Sequence, residues 1–227
     1  MRINGLLVGW VLATAVTVSA QAAPLANGGF GSGDLSGWAA SSGVAVVTGA
    51  DDFSGGSPPF GQHYDAVDGD AYFAKLIAGE TATTLSQAFD ITEASILRGT
   101  AAFLAYEYLP YNDDAFVRLY RIEGADEVLV KELFASSVSD VLDGGHTDWT
   151  AFASQKLTLG SYVLRAQVRN HGEDGPVDLY YSSHLLLDGV TLSAAPVPEP
   201  AAWALMIAGF AGVGAALRLR SRDRATA

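Results

Sequence analysis

The chain has 227 residues, no cysteine, 49% apolar residues and a formal net charge of −12. The lack of cysteine excludes disulfides, thiol nucleophiles, thiolate metal sites and lipid attachment through a lipobox cysteine. Arg2 contributes +1 and the segment from Ala201 onward contributes +3, so the middle carries −16, a charge that repels nucleic acid and anionic lipid headgroups.

Residues 1–22 have the layout of a secretory signal peptide. Arg2 is the positive start, Gly5 to Val18 is apolar, and Ala20-Gln21-Ala22 has the small-x-small pattern that signal peptidase accepts. The apolar stretch is short for a membrane anchor, so cleavage after Ala22 is expected, leaving residues 1–22 outside the fold.

From residue 23 to 195 strand signals dominate and helical periodicity is weak. Tyr162 to Arg169 is the clearest alternation: Tyr162, Leu164, Ala166 and Val168 share one face, and Arg165, Gln167 and Arg169 the other. Further strand-like runs are Asp70–Ile77, Thr83–Phe89, Gly99–Leu109, Phe116–Ile122, Val128–Phe134 and Leu185–Leu192. Turn-forming clusters separate them, among them Gly55-Gly56-Ser57-Pro58-Pro59, Asn112-Asp113-Asp114, Asp143-Gly144-Gly145 and Gly172 to Pro176. Ser136 to Leu142 is read as a helical turn or a loop. Many short strands with acidic and glycine turns predict one all-β sandwich or jelly roll.

Two local patterns carry a resemblance. The body opens with Asn27-Gly28-Gly29-Phe30 and Gly37-Trp38, and it closes with Leu187-Asp188-Gly189-Val190-Thr191-Leu192. These resemble the first and last strands of carbohydrate-binding-module-like, galactose-binding-like jelly rolls. The resemblance implies that the two strands lie close together and that a structural calcium sits near them. Gly31 and Gly189 stand where that family commonly has acids. Asp188 is therefore either a calcium ligand helped by backbone carbonyls or a hydrogen-bond acceptor for the N-terminal turn.

Residues 196–227 read as a second address. Val197-Pro198-Glu199-Pro200 forms an extended linker, because prolines do not continue a helix or a central strand. The uncharged stretch Ala201–Leu217 is about the shortest that spans a bilayer as a helix. Arg218, Arg220, Arg222 and Arg224 then mark a cytoplasmic stop. The order of Pro198-Glu199-Pro200, apolar helix and arginines resembles the PEP-CTERM sorting domain of Gram-negative bacteria that make exopolysaccharide. That resemblance implies exosortase as a processing partner beside signal peptidase, transient anchoring in the inner membrane, and a final place at the cell surface or outside the cell.

Signals for catalysis are sparse. His63, His146, His171 and His184 have no metal-ligand spacing, and no nucleophile elbow or phosphate loop is present. The pairs Asp51-Asp52, Asp68 with Asp70, and Asp113-Asp114 read as acidic turns. A calcium loop around Asp65, Asp68 and Asp70 is a weaker alternative. The tyrosines offer the better lead: Tyr106, Tyr108 and Tyr111 cluster near one strand end and Tyr180-Tyr181 near another, and sugar C–H groups stack on aromatic faces. Trp38 and Trp149 are expected in the core or at its lip. Three functions fit these signals: a non-catalytic surface or matrix protein associated with exopolysaccharide, a lectin-like module for a specific glycan, and an enzyme acting on polysaccharide. The first is preferred, with no nucleic-acid partner and no cofactor beyond structural calcium.

Overall fold

The computed structural model describes residues 24–52, 61–67, 69–172, 181–196 and 204–213. Residues 1–22, the Pro198-Glu199-Pro200 motif, the four tail arginines and Asp68 lie outside these. Among the described residues between 39 and 194 there are twelve strands and one short helix. In chain order they are β1 (Ala39–Ala40), β2 (Val44–Val47), β3 (Ala50–Asp51), β4 (His63–Tyr64), β5 (Phe73–Ile77), β6 (Thr83–Ile91), β7 (Ser95–Leu104), β8 (Asp114–Glu123), β9 (Asp126–Ser137), α1 (Val138–Val141), β10 (Thr150–Ala153), β11 (Gly160–Arg169) and β12 (His184–Ala194). A helical run, α2, follows over residues 204–213. Its Leu205, Met206, Ile207, Phe210 and Val213 are exposed. Among the described residues no helix is long and apolar enough to cross a membrane.

Ten strands form two five-stranded antiparallel sheets, ordered β1-β6-β11-β8-β9 and β10-β7-β12-β5-β2. The period-2 pattern decides what each strand offers the interior. On the first sheet the predicted Leu164, Ala166 and Val168 face inward with Leu85, Phe89, Val117 and Leu119, all fully buried. The second sheet answers with Leu76, Leu97, Phe103, Leu185 and Leu187. Burying one such side chain contributes about 1.5–3 kcal/mol. The outward rows of the first sheet are solvated and cross-linked: Arg118 pairs with Glu132 at 2.7 Å and Arg165 with Glu127 at 2.9 Å. The guanidinium of Arg118 also lies 3.7 Å from the Phe116 ring centre.

The outer face of the second sheet is not solvated in the same way. Phe73, Ala102, Leu104 and Leu186 point outward from it, yet they are buried under Ala50 and Tyr64 of the small β3–β4 ribbon. Burial on both faces explains the unbroken apolar runs Ala101–Leu104 and Leu185–Leu187, where alternation is lost. The ribbon is pinned by Tyr64, whose hydroxyl donates to the Thr147 carbonyl at 2.6 Å. Trp149 Nε1 donates to the Asp65 carbonyl at 3.0 Å, and Gln62 donates to Asp148 at 3.1 Å.

The two resemblance patterns meet in space. The Val190 N–H donates to the Gly28 carbonyl at 2.9 Å, Trp38 Nε1 donates to the Asn27 carbonyl at 3.0 Å, and Phe30 stacks on Trp38 with centroids 5.4 Å apart. Only glycine fits at position 28, because an added methyl would overlap the Val190 carbonyl oxygen. The opening and closing segments are therefore clasped backbone to backbone.

Candidate functional site: a tyrosine cluster at one end of the sandwich

One end of the sandwich collects the β7–β8 connection, helix α1 and the segment leading into β12. Strand β7 stops at Leu104, so the expected run to Leu109 ends early and Tyr106, Tyr108 and Tyr111 sit in a connection, not on a pleated face. Backbone bonds lock that connection to its neighbours. Ala105 N–H donates to Gly145 O at 2.8 Å, Tyr111 N–H to Tyr108 O at 2.9 Å, and Val138 N–H to Asp113 O at 3.0 Å. Leu109 N–H donates to Asp143 Oδ1 at 3.0 Å.

Tyr108 and Tyr111 come together edge to face, with centroids 5.4 Å apart, and Tyr181 meets Tyr108 in the same manner at 6.3 Å. Tyr108 is 48% exposed and the adjoining Leu109 46%. Tyr106 is directed elsewhere. Its ring packs on His184 at 4.3 Å and its hydroxyl donates to the Asp51 carbonyl. Burial, reinforced by Asp51 and Asp52, pushes its phenol up to about 12.

Asp113 is the residue that the sequence conceals. Read as a turn acid, it is fully buried, accepting the N–H of His171 at 2.9 Å on one oxygen and that of Ser183 at 3.2 Å on the other. Burial raises its pKa, against the pull of these donors. One carboxylate thus joins the start of β8, the end of β11 and the start of β12, and it fixes Tyr181 relative to Tyr111. No local pattern around Asn112-Asp113-Asp114 distinguishes such an anchor from a solvated turn.

The neighbouring acids also have structural partners. Arg169 forks onto Asp114, and His171 Nε2 lies 3.4 Å from the same carboxylate. Asp51 accepts from His63 at 2.6 Å, which raises the imidazole pKa. His146 Nδ1 lies 2.5 Å from the buried Asp52, off the line of a hydrogen bond. His184 is half-buried, with its Nδ1 shut off from solvent, and desolvation of the ring together with Lys75 holds its imidazole down to about 3.

Asp188 is fully buried beside a bulge in β12. Its Oδ2 accepts the Val67 N–H at 2.8 Å and its Oδ1 the Gly189 N–H at 2.7 Å. It therefore anchors the 61–67 segment, while the N-terminal turn is reached through Val190. Calcium takes six to eight oxygens. Among the described residues no three acids or histidines come together to hold an ion, so a calcium at Asp188 would take its other ligands from backbone carbonyls and water.

An open cavity of about 540 Å³ lies at the same end, lined by Ser42, Gly43 and the β5–β6 connection through Glu80 to Thr83. Ala78 N–H donates to Ser183 O at 2.9 Å, tying that connection to the segment that carries Tyr181.

No family model matches the chain, and no curated protein matches its sequence. Solved structures similar to it include TmCBM61 in complex with β-1,4-galactotriose, at 14% identity over 77% of this chain and 100% of that one, with TM-score 0.43. The CBM22-1 xylan-binding domain of Paenibacillus barcinonensis Xyn10C matches at 14% identity over 74% of this chain and 93% of that one, TM-score 0.40. The non-crystalline-cellulose-specific module CBM28 matches at 9% identity over 76% and 96%, TM-score 0.39.

Proposed function

We propose that this chain is an exported, non-catalytic glycan-binding β-sandwich whose sugar contact is the Tyr108–Tyr111–Tyr181 cluster. The observation that carries the reading is the exposure of Tyr108 on a rigid base. A large aromatic ring is half in solvent, braced by two others and by backbone bonds on either side. Pyranose C–H groups stack on such a ring with little entropy lost, because the protein surface is already ordered. Tyr106 supports the connection from beneath through Asp51 and His184 and is not itself a sugar contact.

The terminal segments supply the address. Residues 1–22 direct export by way of signal peptidase. Pro198-Glu199-Pro200, the apolar α2 region and the arginines from Arg218 to Arg224 are the pattern that exosortase is expected to process. The body is then delivered beyond the inner membrane of a Gram-negative bacterium, into its exopolysaccharide. Affinity electrophoresis of the full-length chain through gels containing neutral, amino and acidic polysaccharides tests the binding. At least one polymer is expected to retard the wild type and not Tyr108→Ala. Equal mobility of the two proteins in every gel refutes the assignment.

A further inference from the structure

We infer that the ligand of the tyrosine cluster is a polysaccharide with free amino groups, cationic at neutral pH; this rests on the glycan reading above and adds the sign of the ligand's charge. Residues 78–83, 104–113, 138–145 and 181–183, which form this end, contain Glu80, Glu107, Asp113, Asp140 and Asp143 and no lysine, arginine or histidine. Glu80, Asp140 and Asp143 are exposed. Asp140 accepts one bond from Ser137 and Asp143 one from Leu109, whereas an ionised carboxylate has about four acceptor positions. The described basic residues around this end have acidic or ring neighbours of their own: Arg169 and His171 face Asp114, His146 lies beside Asp52, and His184, next to Lys75, packs on Tyr106.

An ammonium group gains twice in such a place. It is attracted to the face of an exposed tyrosine, and it donates charge-assisted hydrogen bonds to carboxylates. Uronic acids and sulfated sugars set repulsion against the stacking term, and acetylated or neutral sugars keep the stacking term alone. The net charge of −12 raises the local concentration of a polycation and speeds its encounter with the site. Screening limits the specific part of the attraction to about 8 Å at physiological salt, so the carboxylates of this end set the preference.

Calorimetry on the full-length chain in detergent tests the inference with four short ligands: a glucosamine tetramer, its N-acetylated form, a neutral galactan tetramer and a galacturonate tetramer. The glucosamine tetramer is expected to bind about tenfold tighter than its acetylated form, and the galacturonate tetramer to show no binding. Tyr108→Ala should abolish glucosamine binding while the melting temperature falls by no more than about 6 °C, and Asp140→Asn with Asp143→Asn should erase the preference over the acetylated form. Equal or tighter binding of the acetylated or neutral tetramer overturns the charge inference and leaves the glycan reading standing. Undiminished glucosamine binding by Tyr108→Ala also overturns it, by assigning the effect to diffuse attraction. No binding of any sugar removes both.

Discussion

Replacing Asp188 with alanine removes the acceptor of two backbone amides at a fully buried point. The bonds to Val67 and Gly189 are 2.8 and 2.7 Å long, and the acceptor is a carboxylate. A hydrogen bond to a charged group contributes about 1.5–3 kcal/mol. Two of them set a ceiling near 6 kcal/mol, from which relief of carboxylate desolvation subtracts. A net loss of about 3 kcal/mol is expected, or a fall in Tm of roughly 6–12 °C for a domain of this size. Asp188→Asn should fall between the two proteins, because an amide has one acceptor oxygen and turns a donor toward the second N–H. Thermal unfolding followed by near-UV circular dichroism measures all three. A Tm for Asp188→Ala within about 2 °C of wild type refutes the anchoring role. Wild-type curves that coincide in calcium and in chelator would leave hydrogen bonding as the whole role of Asp188, since ion binding to the native state alone would separate them. A rise in calcium that Asp188→Ala abolishes would instead assign an ion to this carboxylate.

Gly28→Ala drives a methyl into the Val190 carbonyl, backbone against backbone, and should cost about 3 kcal/mol in urea unfolding; a change below about 0.5 kcal/mol would show the clasp to be slack. His184 is held neutral, with its pKa lowered to about 3, so the unfolded chain binds the extra proton between its ordinary value and that one. Stability from this residue is full above about pH 6.5 and is lost as pH falls toward 3, with a slope of at most about 1.4 kcal/mol per unit. Asp113, raised by burial, acts in the opposite direction. The diagnostic is therefore a shallower acid slope in His184→Phe than in wild type, and superimposable slopes would dismiss His184 as a contributor. Replacing Pro198, Glu199 and Pro200 by alanine should leave an uncleaved precursor in the inner-membrane fraction of a host that carries exosortase; processing at the wild-type rate would show that the motif is not the address.

The parts legible in the sequence were those fixed by periodicity. Tyr162–Arg169 falls within β11 with its two faces as read, and Phe116–Ile122 and Val128–Phe134 fall within β8 and β9. Gly124, at positive φ between β8 and β9, is the residue type that a tight hairpin asks for. The short strands β1 to β4 and β10 escaped, since two to four residues hold too little pattern to be recognised. The β3–β4 cover escaped for a different reason. Its consequence was visible in Ala101–Leu104 and Leu185–Leu187, but a doubly buried strand does not say what buries it. The tyrosines were found by composition near strand ends. Joining Tyr181 to Tyr108 and Tyr111, and sending Tyr106 to His184, depends on Asp113, whose buried bonds span 58 and 70 residues of chain.

The position of β12 also determines how the body answers to force. This last strand is an interior member of its sheet, hydrogen-bonded along β7 on one side and β5 on the other. A pull exerted on the chain beyond Ala194 runs along the strand axis, so both ladders are sheared at once and cannot be peeled apart one bond at a time. A protein held by its C-terminal end in a flowing or swelling matrix would transmit that load into the core of its own sandwich, and the attachment would outlast weaker contacts at its surface.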